Sequence, residues 1–300
     1  MELRQLRYFV TVVEEAGFTR AAERLHLAQP GLSAQIRQLE RELGQPLLDR
    51  SGRTVRPTEV GAAVLPYARA ALAAVDGVRQ AVQEYTGLLR GRVAIGLVPG
   101  ALTHPFDLAG LLAGFHRAHP GVEVTLTEGR SDAMLSAVRD GALDLAVAGV
   151  ADRTAPPGLA WEVFVDVPLV VAAVPEHPLM AAHRDGDAVS PAALEGHRLI
   201  GLPRGTGMRT VLERLCAGAG FRPRVVFEAA TPDALARLAA RGLGVAVLPG
   251  PDPRPGLRAL PLADPCARAR AALVWRARGP LGPAARELLV RLREALRAGT

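Results

Sequence analysis

Gln29-Pro30, Ser33 and Arg37, followed by arginines at 50, 53 and 56, are the residues whose types and spacing suit one chemistry. That chemistry is contact with a nucleic-acid duplex. An amide side chain can bond the edge of adenine, and a proline ring can touch a thymine methyl. Guanidinium forks grip phosphate oxygens in pairs. The chain has no lysine, so all 36 basic side chains are arginine and every cationic phosphate contact must be made by such a fork.

Three predicted helices position these groups. Leu3, Leu6, Phe9, Val10 and Val13 share one face, which predicts a helix over residues 2–15 ended by Gly17. Thr19 reads as the N-cap of a short helix Arg20–Leu25, and His26–Ala28 as a turn. A third helix opens at Pro30, a residue tolerated only in a first turn. Its Leu32, Ile36, Leu39 and Leu43 step by helical intervals, leaving Pro30, Ser33, Ala34, Arg37 and Arg41 on the other face. Two short helices joined by a tight turn make a helix-turn-helix, whose second helix can enter a major groove. Leu47–Asp49 and Thr54–Arg56 then read as a hairpin with Arg50-Ser51-Gly52-Arg53 as its turn. A hairpin in this place is a wing, and Arg50, Arg53 and Arg56 would flank the duplex. The candidate DNA-binding set is Thr19, Arg20, Ala28, Gln29, Pro30, Ser33, Ala34, Arg37, Arg50, Arg53 and Arg56. The bland alternative is a three-helix bundle with a solvated basic turn.

Net charge does not locate this surface. The +6 total is concentrated in residues 254–300, while residues 1–60 carry nine Arg against eight Asp and Glu. Arg286, Arg291, Arg293 and Arg297 read as the solvated face of a last helix. With 49% hydrophobic and 22% charged residues the chain is globular. No run approaches the ~18 apolar residues of a membrane span. Arg4 and Arg7 stand where an export signal needs apolar residues, so a cytoplasmic protein with no membrane partner is expected. Cys216 and Cys266 form no C-x-x-C pair. His116 and His119 lack a third ligand, so no metal is expected, and no cofactor either. No nucleophile elbow, phosphate loop or H-E-x-x-H is present, so the protein is not expected to be an enzyme.

From Thr58, a predicted N-cap, to about Leu89 the pattern is helical. Val64, Ala68, Ala71, Val75, Val78, Val82, Tyr85 and Leu89 step 4-3-4-3-4-3-4, the period of a coiled-coil seam. They are the candidate dimerisation residues, with Pro66 bending the first turns. Beyond residue 90 short β-rich runs alternate with helical stretches, which predicts an α/β region with helices covering a sheet.

The stretch FTRAAERLHLAQPGLSAQIRQLERELGQPLLDRSGRTVRPTEVG resembles the N-terminal signature of the LysR-type transcriptional regulators. The resemblance continues to about Pro249. Leu48 stands where the family usually has Phe, and Pro57 where it usually has Leu. The resemblance implies an all-α winged helix-turn-helix over 1–58, a linker and dimerisation helix over 59–90, and an effector-binding domain over 91–300. That last domain would be a two-lobed α/β unit like a periplasmic binding protein, with lobe I at about 92–163 and 267–300 and lobe II at about 164–266. Partners implied are double-stranded DNA, RNA polymerase, a further copy of the chain in a dimer or tetramer, and a small-molecule effector such as an organic or amino acid.

In such a domain ligands sit at strand ends and helix N-termini. Four loops fit: Val98-Pro99-Gly100-Ala101, then Arg130-Ser131, then Pro203-Arg204-Gly205-Thr206, then Thr231. Val98 replaces the hydroxyl residue the family commonly has there. The expected function is sequence-specific, effector-controlled transcriptional regulation acting through DNA bending. The alternative is an α/β binding protein or enzyme with an N-terminal helical oligomerisation module.

Overall fold

In the computed structural model, residues 1–52, 54–84, 89–101, 107–250, 255–280 and 282–298 are described, with their side chains except at 76 and 79–84. Arg53 and Tyr85, and the side chain of Val82, lie outside that set.

Helices α1 (Leu3–Glu15), α2 (Phe18–Arg24) and α3 (Gln29–Leu43) precede a ribbon of β1 (Leu48–Asp49) and β2 (Arg56–Pro57). The helices bury one core that includes Leu6, Phe9, Val12, Ala21, Leu32, Ile36, Leu39 and Leu47. The register pairs Leu48 with Pro57 and Asp49 with Arg56, one residue beyond the predicted strands at the second arm. α2 starts earlier than expected. Gly17 is its N-cap and Thr19 lies inside its first turn.

α4 (Glu59–Glu84) follows directly. Thr58 caps it: its Oγ1 accepts from Gly61 N at 2.9 Å and donates to Pro46 O at 2.7 Å. The described part of the helix spans about 39 Å and contains Pro66. Leu89 is not helical and packs on the next domain.

The rest is built on one twisted sheet. Its strands are β3 (Gly91–Leu97), β4 (Val122–Glu128), β5 (Leu145–Val150), β6 (Leu159–Ala173), β7 (Leu199–Gly201), β8 (Val225–Glu228), β9 (Val245–Pro249), β10 (Arg258–Pro261) and β11 (Arg268–Arg276). The order is β4-β3-β5-β11-β6-β9-β7-β8, with β10 on β6. Helices α5 (Leu108–Ala118), α6 (Ser131–Arg139), α7 (Pro178–Ala181), α8 (Gly207–Gly218), α9 (Pro232–Ala239) and α10 (Pro283–Ala298) cover it. Separate cores form around α5 and α10 with β3, and around α7, α8 and β9. The two lobes therefore each bury their own apolar set.

The lobe crossing departs from the expected break at 163/164. β6 runs unbroken through it. Val165 and Val167 still pair with β11, and Leu169 to Ala172 pair with β9. The switch falls at Pro168, which has no N–H to give to a ladder and whose carbonyl instead accepts from Gly250 N at 2.9 Å. The return crossing is β11, where Ala269 belongs to the core of lobe II and Ala272 to a core of lobe I. Leu169–Ala173, beyond the switch, are the last third of β6.

Among the described residues, no helix is long and apolar enough to cross a membrane. A Cβ at Gly61 would stand 2.0 Å from Leu47 O, so α4 meets the base of the ribbon at backbone contact. Gly61→Ala should destabilise the N-terminal domain by about 1–3 kcal/mol or more. Thermal unfolding would show this as an earlier N-terminal transition, with the α/β transition unchanged.

Candidate functional site

The first turn of α3 is offered to solvent. Ala28, its N-cap, supplies no side-chain cap, and Ala28, Gln29, Pro30 and Gly31 are all exposed. Uncapped N–H groups at a helix start attract anions. The opposite face holds this tip in place through Leu32, Ile36 and Leu39, each fully buried. Ala34, Arg37 and Arg41 are exposed along the same helix. Arg37, Arg41, Gly44 and Gln45 line an open hollow of about 650 Å³.

Three sequence-based candidates sit elsewhere. Ser33 is buried, at 8% exposure, because it lies only about 60° round the helix from Ile36. Arg20 is exposed, but its Nε donates to Glu15 O at 2.9 Å, and its Nη2 to the same carbonyl, so it closes the end of α1. Arg50 pairs with Glu40 at 2.8 Å, its guanidinium 5.0 Å from the centre of the Phe18 ring. Arg56 is exposed.

Of the candidate seam, Val64, Ala68 and Ala71 pack onto the N-terminal core, and Ala68 is 1% exposed. Ala68 is therefore closed to a second chain, and Val64 and Ala71 are partly covered by the domain itself. A neighbouring stripe is free of its own domain: Val60, Ala63, Tyr67, Ala70, Ala74 and Val78 are all exposed, Tyr67 at 76% and Val78 at 67%. They fall within an arc of about 80° on the helix.

Between the lobes, Ser131 and Thr206 come close, yet the space between them is filled by backbone. Asp132 N donates to Gly205 O at 2.9 Å across the lobes. A Cβ on Gly207 would lie 2.6 Å from Gly149 C, and one on Gly205, where φ is +86°, 2.2 Å from the Asp132 carboxylate. Ser131 is 3% exposed and its Oγ accepts from Gly149 N at 3.1 Å. Thr206 Oγ1 donates to Pro203 O at 2.8 Å. Arg130 is held bidentately by Asp132, and Arg204 lies 3.5 Å from Glu213.

A cleft of about 730 Å³ opens beside this contact, lined by Ser131, Leu135, Asp152, Trp161, Thr206 and Arg214 among others. A second hollow of about 660 Å³ shares Asp152, Arg153 and Arg214 with it. Neither wall includes Val98, Pro99, Gly100, Ala101 or Thr231. Val98 and Ala101 pack on lobe I cores, and Thr231 Oγ1 accepts from Ala234 N at 3.3 Å as the cap of α9.

The charged groups at this junction carried no recognisable motif. Arg214 of α8 grips Asp152 of lobe I at 2.7 and 3.1 Å, which holds the Asp152 carboxyl below its usual range. Asp166 on β6 receives Arg268 at 2.6 Å, Arg153 at 2.7 Å and Arg270 at 3.2 Å. Burial works to raise its pKa, but the three guanidinium hydrogen bonds prevail and hold it at about 2. Their sequence separations, above one hundred residues for Arg268 and Arg270, hide them from any local reading.

His119 lies against Phe115 and Arg291. Among the described residues no group of three or more His, Cys, Asp and Glu could hold one. Arg293 and Arg297 lie near Glu162 at 2.7 and 3.5 Å, so the last helix is not a free basic face.

Residues 3–62 match the family described as bacterial regulatory helix-turn-helix protein, lysR family, and residues 86–297 match the LysR substrate binding domain. The RuBisCO operon transcriptional regulator of Allochromatium vinosum is 34% identical over 83% of this chain and 79% of that one. A hydrogen peroxide-inducible genes activator of Dickeya chrysanthemi is 32% identical over 94% and 91%. Among solved structures, a full-length OxyR variant from Pseudomonas aeruginosa covers 99% of this chain and 98% of its own, with TM-score 0.70 and 26% identity. CbnR complexed with its target DNA covers 100% of both at TM-score 0.57 and 23% identity, a likeness of fold.

Asp166 yields a pH test. Its folded pKa lies below the ordinary carboxylate value, so its stabilisation is present above about pH 4 and is lost as pH falls toward 2. Asp166→Asn should lower the thermal midpoint at pH 7. The gap to the unsubstituted protein should narrow below pH 4, and a pH-independent gap would contradict this assignment.

Proposed function

The chain belongs to the LysR family of bacterial transcriptional regulators, DNA-binding proteins with an effector-binding domain, and on that premise we propose how its parts divide the work. Residues 1–58 read DNA, 59–90 join two copies, and 91–300 bind the effector, with the lobes exchanging at Pro168 on β6 and at residues 269–272 on β11. The exposed, uncapped start of α3 carries this reading. Gln29 and Pro30 meet base edges in the major groove, and Arg37 with Arg56 meets phosphates. Thr19, Ala28 and Ala34 line the approach. Arg53, in the segment between the two predicted arms, is a further phosphate ligand by its place in the sequence.

The exposed stripe Val60-Ala63-Tyr67-Ala70-Ala74-Val78 is the face a second copy covers. Apolar area of this kind left to water is costly, and its heptad-like spacing suits a partner helix. Val75 flanks it. A dimer then presents two α3 tips to an interrupted inverted repeat. A tetramer, and contact with RNA polymerase, follow from the family alone.

The effector enters the cleft beside Ser131 and Thr206, facing Arg214 and Arg153 rather than Arg130 or Arg204. A small organic or amino acid fits by size and charge. Binding changes how the lobes meet and so how the paired α3 tips lie on DNA. A thiol response to peroxide is disfavoured at Cys216, which is fully buried with its pKa raised by burial to about 11. The protein works in the cytoplasm and is not an enzyme: at the lobe junction the charged groups pair with one another rather than converge on a reacting atom.

Two experiments test this reading. Gln29→Ala should lose about 1–3 kcal/mol of discrimination at one base position, and Arg37→Ala should reduce the salt slope of DNA binding by about 1. Unaltered preference and slope in both would remove α3 as the reader. Tyr67→Arg should shift the protein toward monomer in light scattering, and Ala71→Ser, on the domain-facing side, should not; a dimer that survives Tyr67→Arg places the interface elsewhere.

A further inference from the structure

Glu40 sits in the last turn of α3, where a carboxylate is opposed by the helix dipole. It is only 14% exposed, and both its oxygens are used. Oε1 accepts from Leu47 N at 3.0 Å and Leu48 N at 3.2 Å, the first backbone groups of the wing. Oε2 takes Arg50 Nη2 at 2.8 Å, and Arg50 covers the first residue of α2, Phe18. One carboxylate thus ties α3, α2 and the wing across the Gly44-Gln45-Pro46 turn.

We infer that Glu40 is a positioning residue for DNA recognition. It fixes where the wing stands relative to the reading end of α3, and Arg50 works through Glu40 as a brace rather than as a phosphate ligand. The wing base is also held by Thr58 Oγ1 to Pro46 O, Thr58 N to Leu47 O, Gln45 N to Glu40 O and Val55 N to Ala16 O, and by the burial of Leu47 and Leu48 in the N-terminal core. None of these grips the wing beyond Leu48 from a side chain of α3, as Glu40 does through Arg50. Without Glu40 the base would stay attached while its angle to α3 was released. The cations beyond it would then meet the duplex in many placements, and ordering them would cost entropy on binding.

The sign of the effect separates this role from simple electrostatics. Glu40→Gln removes a negative charge from a protein that binds a polyanion, so charge alone predicts tighter binding. Positioning predicts the reverse. The amide keeps an acceptor for Leu47 and Leu48 but loses the ionic grip on Arg50.

The test uses the full-length protein and a duplex it selects from a random-sequence pool. Glu40→Gln should weaken binding about 3- to 10-fold, a loss on the scale of one ordinary hydrogen bond. Hydroxyl-radical protection should fade at the outer, wing-facing edge of each half-site and persist at its centre. Arg50→Gln, which leaves every backbone bond to Glu40 in place, should give the same footprint with an unchanged salt slope, and the double variant should be no worse than either single one. Should Glu40→Gln fail to fold by circular dichroism, Arg50→Gln decides alone. A slope reduced by about 1, or Glu40→Gln binding as tightly as the unsubstituted protein with an intact footprint, overturns the inference. The inference rests on α3 being the DNA reader. If the pool yields no preferred duplex, both fall; if it does and these variants behave as phosphate-contact variants, only the brace falls.

Discussion

The burial of one face of α3 is the constraint on which the rest depends. A helix can expose an uncapped first turn only if something else keeps it from fraying. Here Leu32, Ile36 and Leu39 lock the helix onto α1 and α2. The exposed tip is therefore rigid without contributing to its own stability. That arrangement suits recognition, because a pre-ordered reader loses little freedom on binding. The same core reaches outward: Leu47 and Leu48 seat the wing, and Ala68 seats the linker helix. A change at Leu32 would be felt at every surface that touches DNA.

The α/β region meets a different demand, since two lobes that each bury their own core must be held together. A paired β-ribbon provides this. β6 and β11 remain hydrogen-bonded to each other from Leu159 to Pro168, across the junction. Asp166 sits within the ribbon, bonded to three arginines that would otherwise repel more strongly. In contrast, the contacts across the cleft are of a kind that can open. The Arg214–Asp152 pair is more than half exposed on both sides, and exposed pairs contribute at most about 1 kcal/mol. The glycine contacts at 149, 205 and 207 are close but small. The region thus combines a stiff hinge with a weakly held mouth.

What was legible in the sequence follows physical range. The helix-turn-helix could be read because Leu32, Ile36 and Leu39 repeat within one helix and Pro30 marks its start. Thr58 was readable as a cap for the same local reason. Errors began where a contact depended on what lay opposite. Ser33 looked outward until Ile36 fixed which arc was buried. Arg20 and Arg50 looked free, since neither the Glu15 carbonyl nor the Glu40 carboxylate can be assigned from spacing. The run 64-68-71 was a sound heptad, but α1 claimed it. In the α/β region the alternation of strands and helices was visible. The turning of β6 at Pro168 and the filling of the space between Ser131 and Thr206 were not, because both are properties of chain segments brought together from far apart.

α4 is where these local and distant demands meet. α4 carries two adjacent apolar stripes whose centres are about a quarter of a turn apart. Val64, Ala68 and Ala71 fasten it to the winged helix, while Tyr67 and its neighbours remain outward. Because the two stripes share one rigid rod, rotation of a partner helix on the outer stripe must rotate the winged helix with it. The rod's start is tied closely to the wing base by Thr58 and Gly61. A change in how the effector domains meet would therefore reach the α3 tips through covalent and packed connections, with no flexible tether on the N-terminal side to absorb it.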